Sequence, residues 1–163
     1  MNSMVTDRLK DMLVKQIASE LSAHSMYFGI AIYFHQSSLD RWGELFRKQS
    51  REEAGHALKI MDFLIDNEVQ FDIPGVSGAP TNFGTPVEAC RVALESERRV
   101  SEQFQAMAAA CMEEKDYRVF EFLQWFIKEQ VEEEHKMQKL IDLLESGINP
   151  FKIQDDLDRY DSD

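Results

Sequence analysis

The 163-residue chain predicts an all-α protein: a four-helix bundle with one long crossover connection and a short fifth helix at its C-terminal end. Three observations carry this. Four long stretches repeat apolar residues at alternating steps of three and four, the period of a buried bundle seam. A single stretch, Glu68 to Gly84, has no helical period and holds Pro74, Gly75, Gly78, Pro80 and Gly84. The turn between the first two stretches, His35-Gln36-Ser37-Ser38, is short enough to force those helices antiparallel.

The first helix is expected over about 6–34, with the seam Leu9, Leu13, Gln16, Glu20, Ala23, Tyr27, Ile30 and Phe34. Ser37 or Ser38 can cap the second, over about 39–67, whose seam is Trp42, Phe46, Gln49, Glu53, His56, Ile60 and Phe63. A helix of about 28 residues is about 42 Å long, and a loop of about 17 residues reaches roughly 56 Å. The Pro/Gly stretch can therefore cross the whole bundle and start the third helix at the far end, parallel to the second. Thr85, Pro86 and Glu88 form a capping box with proline at the first helical position. That third helix spans about 86–114, with the seam Val87, Cys90, Leu94, Glu97, Ser101, Phe104, Ala108 and Cys111. The fourth, about 117–146, has the seam Val119, Leu123, Phe126, Gln130, Glu133, Met137, Leu140 and Leu144, and Gly147 stops it. Asn149-Pro150 opens a short helix over about 150–160, and Asp161-Ser162-Asp163 reads as a frayed tail.

Composition is 44% hydrophobic and 29% charged, ordinary for a globular domain. The formal net charge of −12, from 30 acidic and 18 basic residues, disfavours nucleic acid and anionic membrane as partners and is compatible with attracting cations. No apolar run is long enough to span a bilayer, and Met1 to Lys10 lacks the pattern of a signal peptide, so a cytoplasmic location is expected. Cys90 and Cys111 form no Cys-x-x-Cys pair and read as core residues.

Each seam is polar near its middle. Glu20 interrupts the first, Glu53 and His56 the second, Glu97 the third, Gln130 and Glu133 the fourth. Glu-x-x-His puts a carboxylate and an imidazole on one helix face, where they can share a metal ion. Alone that spacing is common on acidic helices. A seam Glu can also bend to solvent, and a seam Gln can set register. Four carboxylates and an imidazole converging from all four helices would instead repel one another unless a cation neutralised them. Oxygen-rich ligation with one histidine suits iron or manganese, and two ions fit better than one because Glu53 can bridge. Tyr27, one heptad after Glu20, can hydrogen-bond a site carboxylate, give up an electron, or be a core tyrosine. Glu52, Glu129 and Glu132 flank the seam and can form a looser third site or a solvated face. His24 and His35 have no seam carboxylate and are not expected as ligands. Glu132 and His135 also spell Glu-x-x-His, but they stand two residues past Gln130 and Glu133. A shift of two turns a side chain some 200° about the axis, away from the bundle centre.

Glu20 with Tyr27, the stretch Glu52-Glu53-Ala54-Gly55-His56, Glu97, and the run from Phe122 to Glu133 together resemble the bacterial and archaeal non-haem ferritins. The resemblance spans nearly the whole chain, crossover loop and short last helix included. It implies a single ferritin-like di-iron domain over 1–163. It further implies a homo-oligomeric hollow shell of 24 subunits that oxidises Fe(II) with O2 or H2O2 at a ferroxidase centre and stores the Fe(III) mineral. By position, Glu20, Glu53 and His56 resemble the ligands of the first iron, and Glu53, Glu97 and Glu133 those of the second, with Gln130 beside it. Glu52, Glu129 and Glu132 resemble the third-iron site of bacterial members, and Tyr27 and Gln130 stand as candidate catalytic residues. Bacterioferritins carry a second Glu-x-x-His where this chain has Gln130 and Glu133, so the second metal is expected to be held more weakly. Their haem-ligating Met is replaced here by Ala54, and no haem is expected. Two other readings are an oxidase of the same di-iron type acting on an organic substrate, and a helix bundle without metal. Leu21, Phe28 and Ile32 on the first helix, with Leu58, Met61 and Ile65 on the second, form apolar stripes off the seam and predict a two-fold subunit contact.

Overall fold

A computed structural model describes residues 5–161. Residues 1–4 of the expected domain, and Ser162 and Asp163 of the expected tail, lie outside the described residues. Four long helices form the bundle: α1 (Asp7–Gln36), α2 (Asp40–Asp66), α3 (Pro86–Glu114) and α4 (Tyr117–Glu145). A single α-helical turn, α5 (Pro150–Ile153), continues as a 3-10 helix over Gln154–Tyr160. That last piece is thus mostly 3-10, where an α-helix was expected over its full length. The described residues contain no strand, and no helix is long and apolar enough to cross a membrane.

Local chemistry sets the helix ends. Thr6 accepts a hydrogen bond from the Leu9 N–H and starts α1. Thr85 and Glu88 close a reciprocal capping box with Pro86 at the first position of α3. Asp116 caps α4 and Asn149 caps α5. The expectation that Ser37 or Ser38 caps α2 is not met: the cap residue is Leu39, without a side-chain hydrogen bond. Ser37 instead ends α1, and Ser38 takes a left-handed φ of 61° to make the reversal. Asp40, in the first turn of α2, supplies a favourable negative charge there.

The crossover runs the length of α1. Gln70, Phe71 and Asp72 lie beside Lys10 and Val14 near its start, and the Tyr33 hydroxyl donates to the Gly84 carbonyl near its end. Between these two contacts the loop presses on Gly29, where any Cβ would overlap the carbonyl oxygen of Pro80. Helix α3 therefore starts at the far end, parallel to α2 and antiparallel to α1 and α4.

The interior is two apolar cores separated by a polar layer. One holds Phe34, Trp42, Phe46, Cys90, Leu94, Met137 and Leu140, with Ile153 and Leu157 from the C-terminal piece. The other holds Leu9, Leu13, Ile17, Ile60, Leu64, Phe104, Leu123 and Phe126. Between them, side chains with almost no exposure are Gln16, Glu20, Gln49, Glu53, His56, Glu97, Gln130, Glu133 and Lys136.

Candidate metal centre

All of these polar residues except Lys136 sit where a seam step lands, so the helical period that packs the cores also aims them at one another. Two groups of ligand atoms result, each with its atoms within 4.8 Å of one another: Glu20, Glu53 and His56, and Glu53, Glu97 and Glu133. Glu53 belongs to both. One helix alone supplies two residues of the first group, and the others come from α1, α3 and α4.

The surrounding hydrogen bonds hold Glu20, Glu53 and Glu133 by one oxygen each and Glu97 by both. Gln16 Nε2 donates to Glu20 at 3.2 Å, four residues on along α1. Gln49 Nε2 donates to Glu53 at 3.0 Å and across the bundle to Glu133 at 2.6 Å. The Tyr27 hydroxyl donates to Glu97 Oε1 at 2.5 Å, and Gln130 Nε2 to Glu97 Oε2 at 3.0 Å. The remaining atoms are the revealing ones. Glu20 Oε2 and His56 Nδ1 are fully buried with no aligned partner, although His56 Nδ1 lies 3.2 Å from Glu53 and 3.5 Å from Glu20. Buried polar atoms are nearly always satisfied, and an orphaned carboxylate oxygen beside an orphaned ring nitrogen fits a bound cation.

The electrostatics agree. Burial, then the neighbouring carboxylates, pushes the carboxyls up: Glu53 to about 7, Glu97 to about 8 and Glu133 to about 9. Burial pulls the His56 imidazole down, but the nearness of Glu20 and Glu53 more than reverses this. Burial and the same carboxylates raise the Tyr27 phenol well above its usual range, so it stays a hydrogen-bond donor. The protein alone thus cannot keep all four carboxylates charged, whereas two divalent cations would balance their four negative charges.

Other expected residues stand apart. Glu52 and Glu129 are half-buried and Glu132 is exposed, and they form no third ligand group among the described residues. His135 is exposed and lines a groove between α4 and the C-terminal piece. Sequence reasoning missed four participants. Gln49 and Gln16 were legible only as seam residues, yet both stand four positions before a candidate ligand glutamate, where one helix face brings the two side chains together. Trp125 covers the site's edge, its ring 5.4 Å from that of His56 and under the Lys59 ammonium at 3.5 Å. Lys136 is the fourth.

A ferritin-like domain matches residues 10–146. The chain belongs to the ferritin family. It is 38% identical to the ferritin BfrB of Mycolicibacterium smegmatis over 86% of this chain and 78% of that one. It is 32% identical to a bacterial non-heme ferritin of Bacteroides fragilis, over 85% of this chain and 87% of that one. Its backbone is similar to that of an open pore ferritin from the archaeon Archaeoglobus fulgidus, with a TM-score of 0.90 at 27% identity, covering 94% of this chain and 97% of the other. The ferritin-like bundle with its short C-terminal helix is therefore this chain's fold, and iron storage the function its family supports.

Proposed function

We propose that this ferritin is a ferroxidase as well as a store. Two Fe(II) are its substrates. The first is held by Glu20, Glu53 and His56, the second by Glu53, Glu97 and Glu133. The observation that carries the reading is the pair of buried ligand groups sharing one glutamate, with orphaned atoms of Glu20 and His56 in the first group. A shared carboxylate keeps the two ions close enough to react with one oxidant. Each Fe(II) loses one electron, and O2 takes both with two protons to give H2O2; where H2O2 is the oxidant, it takes both electrons with two protons and gives two waters. Gln130 and Tyr27 orient Glu97, which keeps its oxygens aimed at the second ion. Four buried carboxylates against two cations leave no net charge at Fe(II) and favour departure of nothing until oxidation adds positive charge. Fe(III) then moves off by way of the flank, past the carboxylates of Glu52, Glu129 and Glu132, which come together around an ion only when one arrives. The chain assembles into a hollow shell of 24 copies, and works in the cytoplasm.

Stopped-flow oxidation of Fe(II) under air tests the reading. Losing a ligand common to both ions is expected to slow the fast phase by about tenfold or more in Glu53→Ala, since even outer partners of a metal ligand matter that much. A Glu53→Ala protein that oxidises Fe(II) at the parent rate contradicts it.

A further inference from the structure

Lys136 sits one turn past Glu133 on α4 and is 6% exposed. Burying an ammonium is costly, and a methionine would fill the same path at no such cost. Among the described residues, Lys136 Nζ donates to Gln49 Oε1 at 3.0 Å and Asp161 Oδ1 at 3.4 Å. The other end of the Gln49 amide donates to Glu133 and Glu53, as above. An ammonium only donates, a carboxylate that has given up its proton to a metal only accepts, and an amide has one end of each kind. Gln49 can therefore bridge them in a single orientation. Turned by 180°, its carbonyl oxygen would face two carboxylates and its NH2 group an ammonium.

We infer that Lys136 is a positioning residue for the second metal's ligands, acting through Gln49 to hold Glu53 and Glu133 at one separation across the bundle, with Asp161 of the C-terminal segment balancing its charge. The inference rests on the two-iron reading above. Its logic is preorganisation. Glu53 and Glu133 come from facing helices, 80 positions apart in sequence, and no hydrogen bond joins them directly. The Gln49 amide holds one oxygen of each, and leaves the other of each for metal. Lys136 decides which end of that amide they meet. Asp161 accepts from Lys48 at 3.1 Å as well, so the segment expected as a frayed tail reaches the margin of the centre. The charge of Lys136 by itself opposes a nearby cation, so its direct and its relayed effects have opposite signs and can be told apart.

Anaerobic Fe(II) calorimetry on the whole assembled protein separates them, with the melting temperature of each metal-free variant alongside. In Lys136→Met the second Fe(II) is expected to bind about tenfold more weakly, and the first to change by less than about threefold. The metal-free variant should melt no lower than the parent. Gln49→Leu should lose as much, and the double variant no more than either single, because both act along one path. Asp161→Asn, at the edge of the bundle, folds whatever Lys136→Met does, and should weaken the second Fe(II) by a smaller factor, about threefold. Tighter second binding in Lys136→Met, additive losses in the double variant, or equal loss at both ions with a lower melting temperature would each overturn the inference. So would an Asp161→Asn titration that matches the parent. A parent protein that binds no Fe(II) would instead sink the two-iron reading; a parent that binds two, with variants that match it, sinks only this one.

Discussion

The carboxyls of Glu53, Glu97 and Glu133 show what burial does to a centre made of like charges. In the metal-free fold they hold protons up to about 7, 8 and 9, while in the unfolded chain they release them near ~4.3. The folded state thus binds more protons across that window, so its stability falls as pH rises from about 4.5 through 9. His56 acts in the same direction: its folded value is raised to about 11, so the stability it adds is full below ~6.5 and is lost as pH climbs through the folded value. A divalent cation must displace these protons. Titrating Zn(II) into weakly buffered metal-free protein at pH 7 should acidify the solution, and binding should weaken as pH falls; a titration that leaves the pH unmoved would contradict this. A second prediction concerns the decoy on α4. His135→Ala should leave the initial rate of Fe(II) oxidation within about twofold, since surface changes away from a site move free energies by a few tenths of a kcal/mol. Glu133→Ala should slow it clearly. The reverse outcome would mean that the fourth helix is turned. The convergence of Glu20, Glu53, His56, Glu97 and Glu133 was legible because the same steps of three and four that bury Leu123, Phe126 and Met137 bury these five. Lys136 was not legible: three positions past a glutamate on an acidic helix, a lysine reads as surface, and only the packing of Gln49 and Asp161 against it reveals otherwise. Trp125 escaped for a similar reason, because it lies off the seam and is partly exposed.

At the scale of the elements, caps and periods settle most of the fold. The Thr85 box, the proline at the head of α3 and the positive φ of 87° at Gly147 all follow from residue types that favour those positions. The reversal at Ser37 and Ser38 did not follow. Serine is as good a cap as it is a turn residue, and the Leu39 side chain, buried in the core, decides where α2 can start. The crossover was readable in length but not in contact. Gly29 sits inside α1, about two turns before its end, where glycine costs a helix stability, and its reason is the Pro80 carbonyl pressed against it. Gly29→Ala should therefore destabilise the protein by about 1–3 kcal/mol despite the better helix propensity of alanine, because the loop must be pushed off. Gly55→Ala, with open space around the added methyl, should instead stabilise by a few tenths to about 1 kcal/mol. Thermal melts of the two variants compare them directly; equal shifts of the same sign would mean that the loop does not bear on α1.

The whole molecule leaves a face uncovered. Phe28 and Ile32 on α1, with Leu58 and Ile65 on α2, are each between 42% and 61% exposed. Leu21 and Met61, expected in the same stripes, are half-buried against the core that holds Leu13, Ile60 and Phe126 and contribute less to the face. Isolated exposed apolar residues need no explanation, but a stripe along two adjacent helices does. We expect it to be the two-fold contact of the shell. Phe28→Glu with Leu58→Glu, which spares the core-packed Met61, should yield small species on a sizing column, and elution as the full particle would refute the placement. Whether assembled or not, each bundle is held to be organised around a centre that is incomplete without cations. Native-state binding stabilises by mass action, about 2.7 kcal/mol at a hundred times the dissociation constant. For a chain of this length that raises the melting temperature by roughly 5–10 °C. The most direct measurement is the melting temperature of the metal-free protein before and after saturation with redox-inert Zn(II), in the parent and in the Glu53→Ala, His56→Ala double variant. The account predicts that rise in the parent and its loss in the variant; an equal rise in both would remove the metal centre from this seam.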